Sequence, residues 1–233
     1  MYKYVANGLN GNVGTLLQNY INFKEKGDVF IHLAAKSDGI YNEMIDSNIN
    51  YLIQTIKKCE QMQIKNFIFF SAISIYNKDD LYSHTKRIGE IILKETDFNV
   101  LILRLPMILT NDKKNGVLNR IRQKLEKNED IELYNWNKKF NNFITVQEIA
   151  NFIKDYKFNK KYEIINLATD LNKTILEIVE FLRILLNSNS KIIKMNRTDD
   201  FFNIDISKAK EYGFIPLDTR NKLKDWCEAN NFK

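Results

Sequence analysis

Alternation between short apolar runs and amphipathic stretches constrains the fold of this chain more than any other feature of its sequence. Four runs in the first half are typical of β-strands: Lys3–Ala6, Val29–Ala35, Asn66–Phe70 and Asn99–Arg104. The stretches between them have helical periodicity, at Thr15–Lys26, Tyr41–Met62 and Tyr82–Thr96. Because strands that are apolar on both faces belong to parallel sheets covered by helices, the pattern predicts a doubly wound, Rossmann-like α/β sheet.

The second half of the chain is mostly helical in its sequence pattern. Helical patterns follow at Leu118–Lys127, Thr145–Tyr156, Thr174–Leu186, Ser207–Tyr212 and Thr219–Asn230, with a strand-like run at Tyr162–Leu167. Thr174 and Glu177 have the spacing of a helix capping box. We therefore predict a sheet domain over residues 1–109, to which the strand at 162–167 returns, and a smaller C-terminal substrate lobe over residues 110–233.

Charge and composition exclude several classes of protein. Of the 233 residues, 35 are Lys or Arg and 29 are Asp or Glu, and the net charge of +6 is scattered rather than gathered into a basic stripe. We expect no nucleic-acid partner, an alternative that has only the mild positive charge in its favour. No apolar run is long enough for a membrane span. Cys59 and Cys227 have no metal-like spacing, so we expect no metal site and a reducing, cytoplasmic compartment.

Three glycines, Gly8, Gly11 and Gly14, follow the first strand and open the first helix. A glycine turn in this context lets backbone N–H groups approach a pyrophosphate, although the commonest fingerprint has the spacing G-x-G-x-x-G. A Gly/Asn-rich loop without a ligand is the alternative. The chain then reaches the strand at Val29 through one helix, so about two strands of the usual nucleotide-binding half are absent. A different register, with Lys3–Leu9 as a later strand, would leave the turn incidental.

Tyr82 and Lys86 open a helical stretch four residues apart, which places both side chains on one face. A nearby ammonium favours the phenolate, so the spacing predicts a lowered pKa for Tyr82 and proton exchange with a hydroxyl or ketone. The same spacing is common on surface helices, so the pair alone does not decide the function.

The order of these segments resembles the extended short-chain dehydrogenase/reductase family, and within it the nucleotide-sugar epimerases and dehydratases. Each matching motif is weak, and the ordered set covers nearly the whole chain. The motifs are Gly8-Leu-Asn-Gly11-Asn-Val-Gly14, His32-Leu-Ala-Ala35, Asn48, Phe70-Ser-Ala-Ile-Ser-Ile-Tyr76, Tyr82-x-x-x-Lys86, Leu103-Arg-Leu-Pro106, Asn142-Phe-Ile-Thr-Val146, Ile165-Asn-Leu167 and Asp205-Ile-Ser-Lys208.

The resemblance implies NAD or NADP as cofactor. In the family's terms Tyr82 would transfer the proton, and Lys86 would hold the nicotinamide ribose and lower the pKa of Tyr82. Gly8, Gly11 and Gly14 would cradle the pyrophosphate. The small side chains of the strand end, Ala34 and Ala35, would let the cofactor lie against it.

The resemblance also implies a nucleotide-sugar substrate. A guanidinium can bind two phosphate oxygens at once, which suits Arg197 to the sugar diphosphate. The implied substrate-binding residues are Arg197, Lys36, Ser74, Met107 and Asn141. The helices at 41–62 and 82–96 would form the seam of a homodimer, through Ile49, Ile53 and Ile56 unless these belong to the core.

Several positions depart from the family pattern. Ala72 stands where the family has its catalytic Ser or Thr, which makes Ser71 the candidate third catalytic residue. Because neighbours on a strand point to opposite faces, Ser71 could substitute only with a changed backbone. Met107 replaces a common Asn and Asn141 a common Arg, and the loop from Tyr76 to Tyr82 is very short.

Together these features predict an NAD(P)-dependent epimerase, reductase or dehydratase that acts on a nucleotide sugar for surface polysaccharide. The departures keep a second hypothesis open. In it, a catalytically impaired relative binds a nucleotide sugar or a partner enzyme without turnover.

Overall fold

The structure, a computed structural model, describes residues 2–110, 116–196 and 202–231. The chain divides into two compact units. The first, which we call the sheet unit, comprises Met1–Pro106, Val146–Leu167 and Ile206–Phe214. The second unit comprises Met107–Thr145, Ala168–Asp205 and Ile215–Lys233.

The strands, numbered in chain order, are β1 (Tyr4–Asn7), β2 (Val29–His32), β3 (Asn66–Ala72), β4 (Asn99–Leu105), β5 (Met107–Leu109), β6 (Ile131–Leu133), β7 (Phe143–Thr145), β8 (Tyr162–Asn166) and β9 (Ile192–Lys194). The α-helices are α1 (Asn12–Leu17), α2 (Tyr41–Ile45), α3 (Tyr51–Gln61), α4 (Leu81–Lys94), α5 (Val117–Glu126), α6 (Val146–Asp155), α7 (Ile175–Leu185), α8 (Ser207–Glu211) and α9 (Thr219–Asn231). A π-helical turn at Asp46–Asn50 joins α2 to α3, and a 3-10 turn at Ile73–Tyr76 follows β3.

The sheet unit is built on five parallel strands in the order β1-β2-β3-β4-β8. Apolar side chains on one face of these strands form a core with α3 and α4, to which Phe30, Phe67, Phe69, Ile102, Leu52, Cys59 and Leu93 contribute. The ring of Phe67 stacks between those of Phe30 and Phe98. Its centroid lies 5.5 Å from the centroid of each of the other two rings. The predicted parallel α/β sheet is confirmed.

The strand β1 lies at the edge of this sheet, where a complete nucleotide-binding half would continue with further strands. Its outer side meets Phe23 in an isolated parallel bridge, and the N–H of Lys24 donates to the carbonyl of Tyr4 at 2.8 Å. The prediction of a curtailed nucleotide half is confirmed. The register that would leave the glycine turn incidental is wrong, because β1 pairs with β2 and the turn follows β1 directly.

The first helix is shorter than the predicted Thr15–Lys26. It ends at Leu17. Beyond that end, the side chain of Ile21 is buried, at 3% exposure, and Phe23 forms a backbone bridge with Tyr4 of β1. The chain has to return beside β1 at Val29, which leaves no room for a longer helix.

The second unit has its own core, formed by α5, α7 and α9. Two short parallel pairs, β5 with β7 and β6 with β9, complete it. The predicted capping box begins α7: the Glu177 N–H donates to the Thr174 hydroxyl at 3.2 Å, and the Thr174 N–H donates to the Glu177 carboxylate at 2.8 Å.

In the described ranges no helix combines the length and the apolar character that a bilayer crossing needs. Within the same ranges, no cluster of three or more His, Cys, Asp or Glu side chains could hold a metal ion.

Candidate functional site

The glycine turn is formed, and two of its glycines are required by its packing. Gly8 follows β1 with φ at +70°, and a Cβ there would lie 2.7 Å from the backbone nitrogen of Ala34. A Cβ on Gly14 would lie 2.3 Å from the carbonyl oxygen of Gly8. These two positions therefore hold the turn tightly against the end of β2 and against the start of α1.

Gly11 is different, because neither its conformation nor its packing demands glycine. Its φ is −78°, and a Cβ would meet only the carbonyl oxygen of Gly8, at 3.3 Å. The residue is exposed, so the missing side chain leaves one face of the turn open. In dinucleotide-binding turns the middle glycine is the one that lets a pyrophosphate approach the backbone. The turn therefore fits a phosphate-bearing cofactor.

Asn7, the last residue of β1, fixes the strand end that lies beside this turn. Its side-chain oxygen accepts from the N–H groups of Leu33 and Ala34, at 3.1 and 3.3 Å. Its amide nitrogen lies 2.9 Å from Nδ1 of His32 and donates to the Thr55 hydroxyl at 3.2 Å. The sequence offered one signal for this role, a polar residue at the end of an apolar strand.

His32 is neutral. Burial, and then the charge of Lys86, lowers its pKa to about 3. Beyond His32, Ala34 is partly buried and Ala35 is exposed, and both have small side chains that project little from the end of the strand. Lys36 is engaged locally, because its ammonium pairs with Glu43.

Asn48, in the π-helical turn, ties this strand end to α4. Its side chain accepts from the N–H of Lys36 at 2.7 Å and donates to the carbonyl of Lys36 and to the hydroxyl of Thr85, both at 2.9 Å. The Thr85 hydroxyl donates in turn to the carbonyl of Tyr82 at 2.8 Å. One buried amide thus sets the position of the loop after β2 relative to the helix that carries Tyr82.

Tyr82 and Lys86 share one face of α4, as predicted from their spacing. The Lys86 ammonium lies 5.8 Å from the centroid of the Tyr82 ring and donates to the carbonyl of Phe70 at 2.7 Å. Burial lowers the pKa of Lys86 to about 7, although Glu90 raises it. In the part of the chain that the structure describes, the Tyr82 hydroxyl has no hydrogen-bond partner.

The predicted lowering of the Tyr82 pKa is wrong. Burial, and after it the carboxylate of Asp80, raises the pKa of Tyr82 to about 12. The Lys86 ammonium, for its part, donates its hydrogen bond to the carbonyl of Phe70. The phenol of Tyr82 is therefore protonated at neutral pH.

Ser71 does not face an open site. Its hydroxyl is buried and donates to the Glu90 carboxylate at 2.5 Å. The same carboxylate accepts from Nε and Nη2 of Arg104, at 3.0 and 2.6 Å. The candidate catalytic role of Ser71 is thus not supported, and the cause is the strand alternation that already argued against it.

Two other hydroxyls meet beyond the end of β3. Ser74, in the 3-10 turn, accepts a hydrogen bond at 2.8 Å from the hydroxyl of Ser83, the residue that follows Tyr82. Ser83 is buried, whereas Ser74 is partly exposed. Asp80 caps α4 by accepting from the N–H of Ser83, also at 2.8 Å.

The remaining predicted substrate residues belong to the second unit. The Asn141 side chain is 1% exposed and bonds both ways to the backbone of Ile204, at 2.9 and 3.0 Å, so it serves the packing of that unit. Met107 packs against Gly116, where a Cβ would lie 1.9 Å from its sulfur. Arg197 lies outside the described residues.

Comparison with known proteins adds the context for this geometry. No protein-family model and no curated protein matches the sequence. Solved structures do match. RMD from Pseudomonas aeruginosa, complexed with NADPH, aligns with a TM-score of 0.78 and 15% identity over 97% of this chain and 99% of that one. UDP-glucose 4-epimerase from Thermotoga maritima, with UDP-glucose, aligns with a TM-score of 0.76 and 14% identity over 99% and 100%.

A third solved structure is similar over almost the whole chain. UDP-N-acetylglucosamine 4-epimerase from Methanobrevibacter ruminantium M1, in complex with UDP-N-acetylmuramic acid, aligns with a TM-score of 0.76 and 18% identity over 98% of both chains. This chain has the fold of these proteins. The resemblance predicted from the ordered motifs is therefore confirmed at the level of the fold.

Proposed function

We propose that this protein binds NAD or NADP together with a nucleotide sugar and catalyses hydride transfer at a sugar carbon. One observation carries the proposal. The glycine turn follows the carboxyl end of β1, and the helix that carries Tyr82 and Lys86 follows the carboxyl end of β3 in the same parallel sheet, with β2 between the two strands. Open α/β sheets bind their ligands at this edge. The solved structures with this fold include complexes with NADPH, NAD and UDP sugars, which supports the same ligand classes here.

The cofactor, when bound, supplies the hydride acceptor or donor. The chain's own residues supply position and the proton. The open face at Gly11 receives the pyrophosphate, and Asn7 and Asn48 hold the flanking loops in place. Because Tyr82 is protonated at neutral pH and its hydroxyl is uncommitted, it gives its proton to a sugar carbonyl oxygen as that carbon is reduced.

Calorimetry with NADH and NADPH tests the first part of the proposal. Turnover is then measured with a panel of UDP-glucose, UDP-galactose, UDP-N-acetylglucosamine and UDP-glucuronic acid. We expect micromolar cofactor binding, and turnover that Tyr82→Phe lowers at least 100-fold, the range for one lost acid–base group. Tyr41→Phe, on an exposed tyrosine, is the matched control. Unchanged turnover in Tyr82→Phe would refute the mechanism.

A second function is favoured by a specific observation. Ala72 has no hydroxyl and Ser71 is committed to Glu90, so the usual Ser or Thr of this fold's enzymes is missing. A catalytically impaired protein would bind the nucleotide sugar, or a partner enzyme, without converting it. Binding of UDP-glucose with no product after prolonged incubation with NAD and NADP would select this function over the first.

Three finer assignments stay predictions from the sequence: synthesis of surface polysaccharide, a cytoplasmic location and a homodimer. For the dimer, Ile53 on α3 and Ile88 and Ile91 on α4 are exposed, whereas Ile56 is buried in the core. Analytical ultracentrifugation of the protein and of Ile91→Glu tests the dimer, which the substitution should dissociate.

A further inference from the structure

The end of β3 carries three small side chains that differ in what their atoms do. Ser71 donates to Glu90 from a buried position, and Ala72 has no polar side-chain atom. Ser74 is partly exposed and accepts from Ser83, so its own O–H remains available. Within the described residues, no acceptor takes the Ser74 hydroxyl proton. Of the hydroxyls that this strand end provides, Ser74 has the one free to bind a ligand.

The position of Ser74 is fixed from two sides. The N–H groups of Asn77 and Lys78 donate to its carbonyl, at 3.2 and 2.8 Å, which closes the 3-10 turn. Ser83 approaches its hydroxyl from α4 and is held there by the helix cap on Asp80. The short connection from Tyr76 to the helix brings the turn and the first residues of α4 together.

In this arrangement Ser83 orients the hydroxyl of Ser74. Its hydroxyl is 2% exposed and directs its proton at Ser74 rather than at solvent. A hydroxyl that already accepts a hydrogen bond is a better donor, because hydrogen bonds in a chain polarise one another. Ser83 also directly follows Tyr82, so the Ser74 hydroxyl is anchored to the helix that carries the proton donor.

We propose that Ser74 is a catalytic residue, the hydroxyl donor to the reacting oxygen of the sugar, and that Ser83 positions it. The inference rests on the proposed function and adds the group that compensates for Ala72. Tyr82 and Ser74 then both donate to the oxygen that gains negative charge when the sugar carbon is reduced. The loss of one such donor costs about 10²–10³ in kcat.

The test measures kcat and KM with the UDP sugar that the wild-type protein converts, together with NADH affinity by calorimetry. Ser74→Ala should lower kcat about 100-fold while KM for the sugar, NADH affinity and melting temperature stay within experimental error. Ser71→Ala is the matched control: its kcat should stay within about threefold of the wild type, while its melting temperature falls because Glu90 loses a partner.

A rescue experiment separates catalysis from structure. Ala72→Ser, introduced into Ser74→Ala, places a hydroxyl two positions earlier on the same strand end. The double variant should have a kcat at least tenfold higher than that of Ser74→Ala. Ser83→Ala should lower kcat about tenfold, and Ser83→Thr should restore it. A Ser74→Ala protein that retains its kcat while Tyr82→Phe loses activity would overturn the inference alone. A wild-type protein that binds NADH and converts no sugar would overturn the proposed function and this inference with it.

Discussion

Lys86 is a buried ammonium whose removal should stabilise the protein at acidic pH and destabilise it at alkaline pH. Burial lowers its pKa from the ordinary 10.5 to about 7. One pKa unit corresponds to about 1.4 kcal/mol, so charging Lys86 in the folded protein opposes folding by about 5 kcal/mol below pH 7. Lys86→Met keeps the length of the side chain and removes that penalty. It also removes the hydrogen bond to the Phe70 carbonyl, at a cost of about 1–3 kcal/mol.

The sign follows from proton binding. Between pH 7 and 10.5 the unfolded chain holds the Lys86 proton and the folded protein releases it, so the free energy of unfolding rises with pH. Lys86→Met lacks this dependence. We expect the variant to be more stable than the wild type by about 2–4 kcal/mol at pH 6 and equal or less stable, by up to about 2 kcal/mol, at pH 10.

Urea denaturation followed by circular dichroism at intervals from pH 6 to 10 measures this difference directly. His32 and Glu90 interact electrostatically with Lys86, whereas the titrating groups that do not interact with Lys86 are common to both proteins and cancel in the comparison. Lys94→Met, on an exposed lysine of the same helix, is the control and should change the free energy of unfolding by less than about 0.5 kcal/mol. A difference between Lys86→Met and the wild type that does not vary with pH would refute the reasoning.

Three further predictions follow from the turn and from the second unit. Gly11→Ala should weaken NADH binding at least tenfold with little change in melting temperature, whereas Gly14→Ala should destabilise the fold, because its Cβ would lie 2.3 Å from the carbonyl oxygen of Gly8. Kd values for NAD and NADP, measured by calorimetry, should agree within about threefold, because the chain from Gly8 to Asn22 has no charged residue to repel or attract a 2′-phosphate. Asn141→Ala should lower the free energy of unfolding by about 2–4 kcal/mol, measured with urea, without a specific loss of nucleotide-sugar affinity.

The strands were predictable because the sheet buries both of its faces. A continuous apolar run such as Val29–His32 is therefore stable as a strand inside such a sheet. The end of the first helix was not, because it depends on Phe23 meeting β1, a contact between residues that the local pattern does not relate. The π-helical turn at Asp46–Asn50 lies inside a stretch with ordinary helical periodicity, and only the bonds of Asn48 explain it.

In the candidate site, too, local patterns predicted some features and long-range contacts decide the others. Spacing alone placed Tyr82 and Lys86 on one helix face, because four residues complete about one turn. The raised pKa of Tyr82 was not predictable, since it depends on the burial of the phenol and on the carboxylate of Asp80. Similarly, no local pattern distinguishes Ser71 from Ser74. The distinction comes from Glu90, nineteen residues away in sequence from Ser71, and from Ser83.

The curtailed nucleotide half leaves β1 as an edge strand, and its outer side is protected unevenly. Tyr4 directs its carbonyl outward to the N–H of Lys24, so the start of the strand is covered by residues of the same chain. In a parallel strand alternate residues face the same side, which makes Ala6 the next residue to present its backbone outward. That position lies two residues before Gly8, the first glycine of the turn. Covering it with a further strand would add the adenosine-binding edge of a complete dinucleotide site. In the cofactor binding that we propose, the pyrophosphate and nicotinamide portions would therefore supply most of the contacts, and the Gly11 substitution should weaken NADH binding more than in a protein with all the strands.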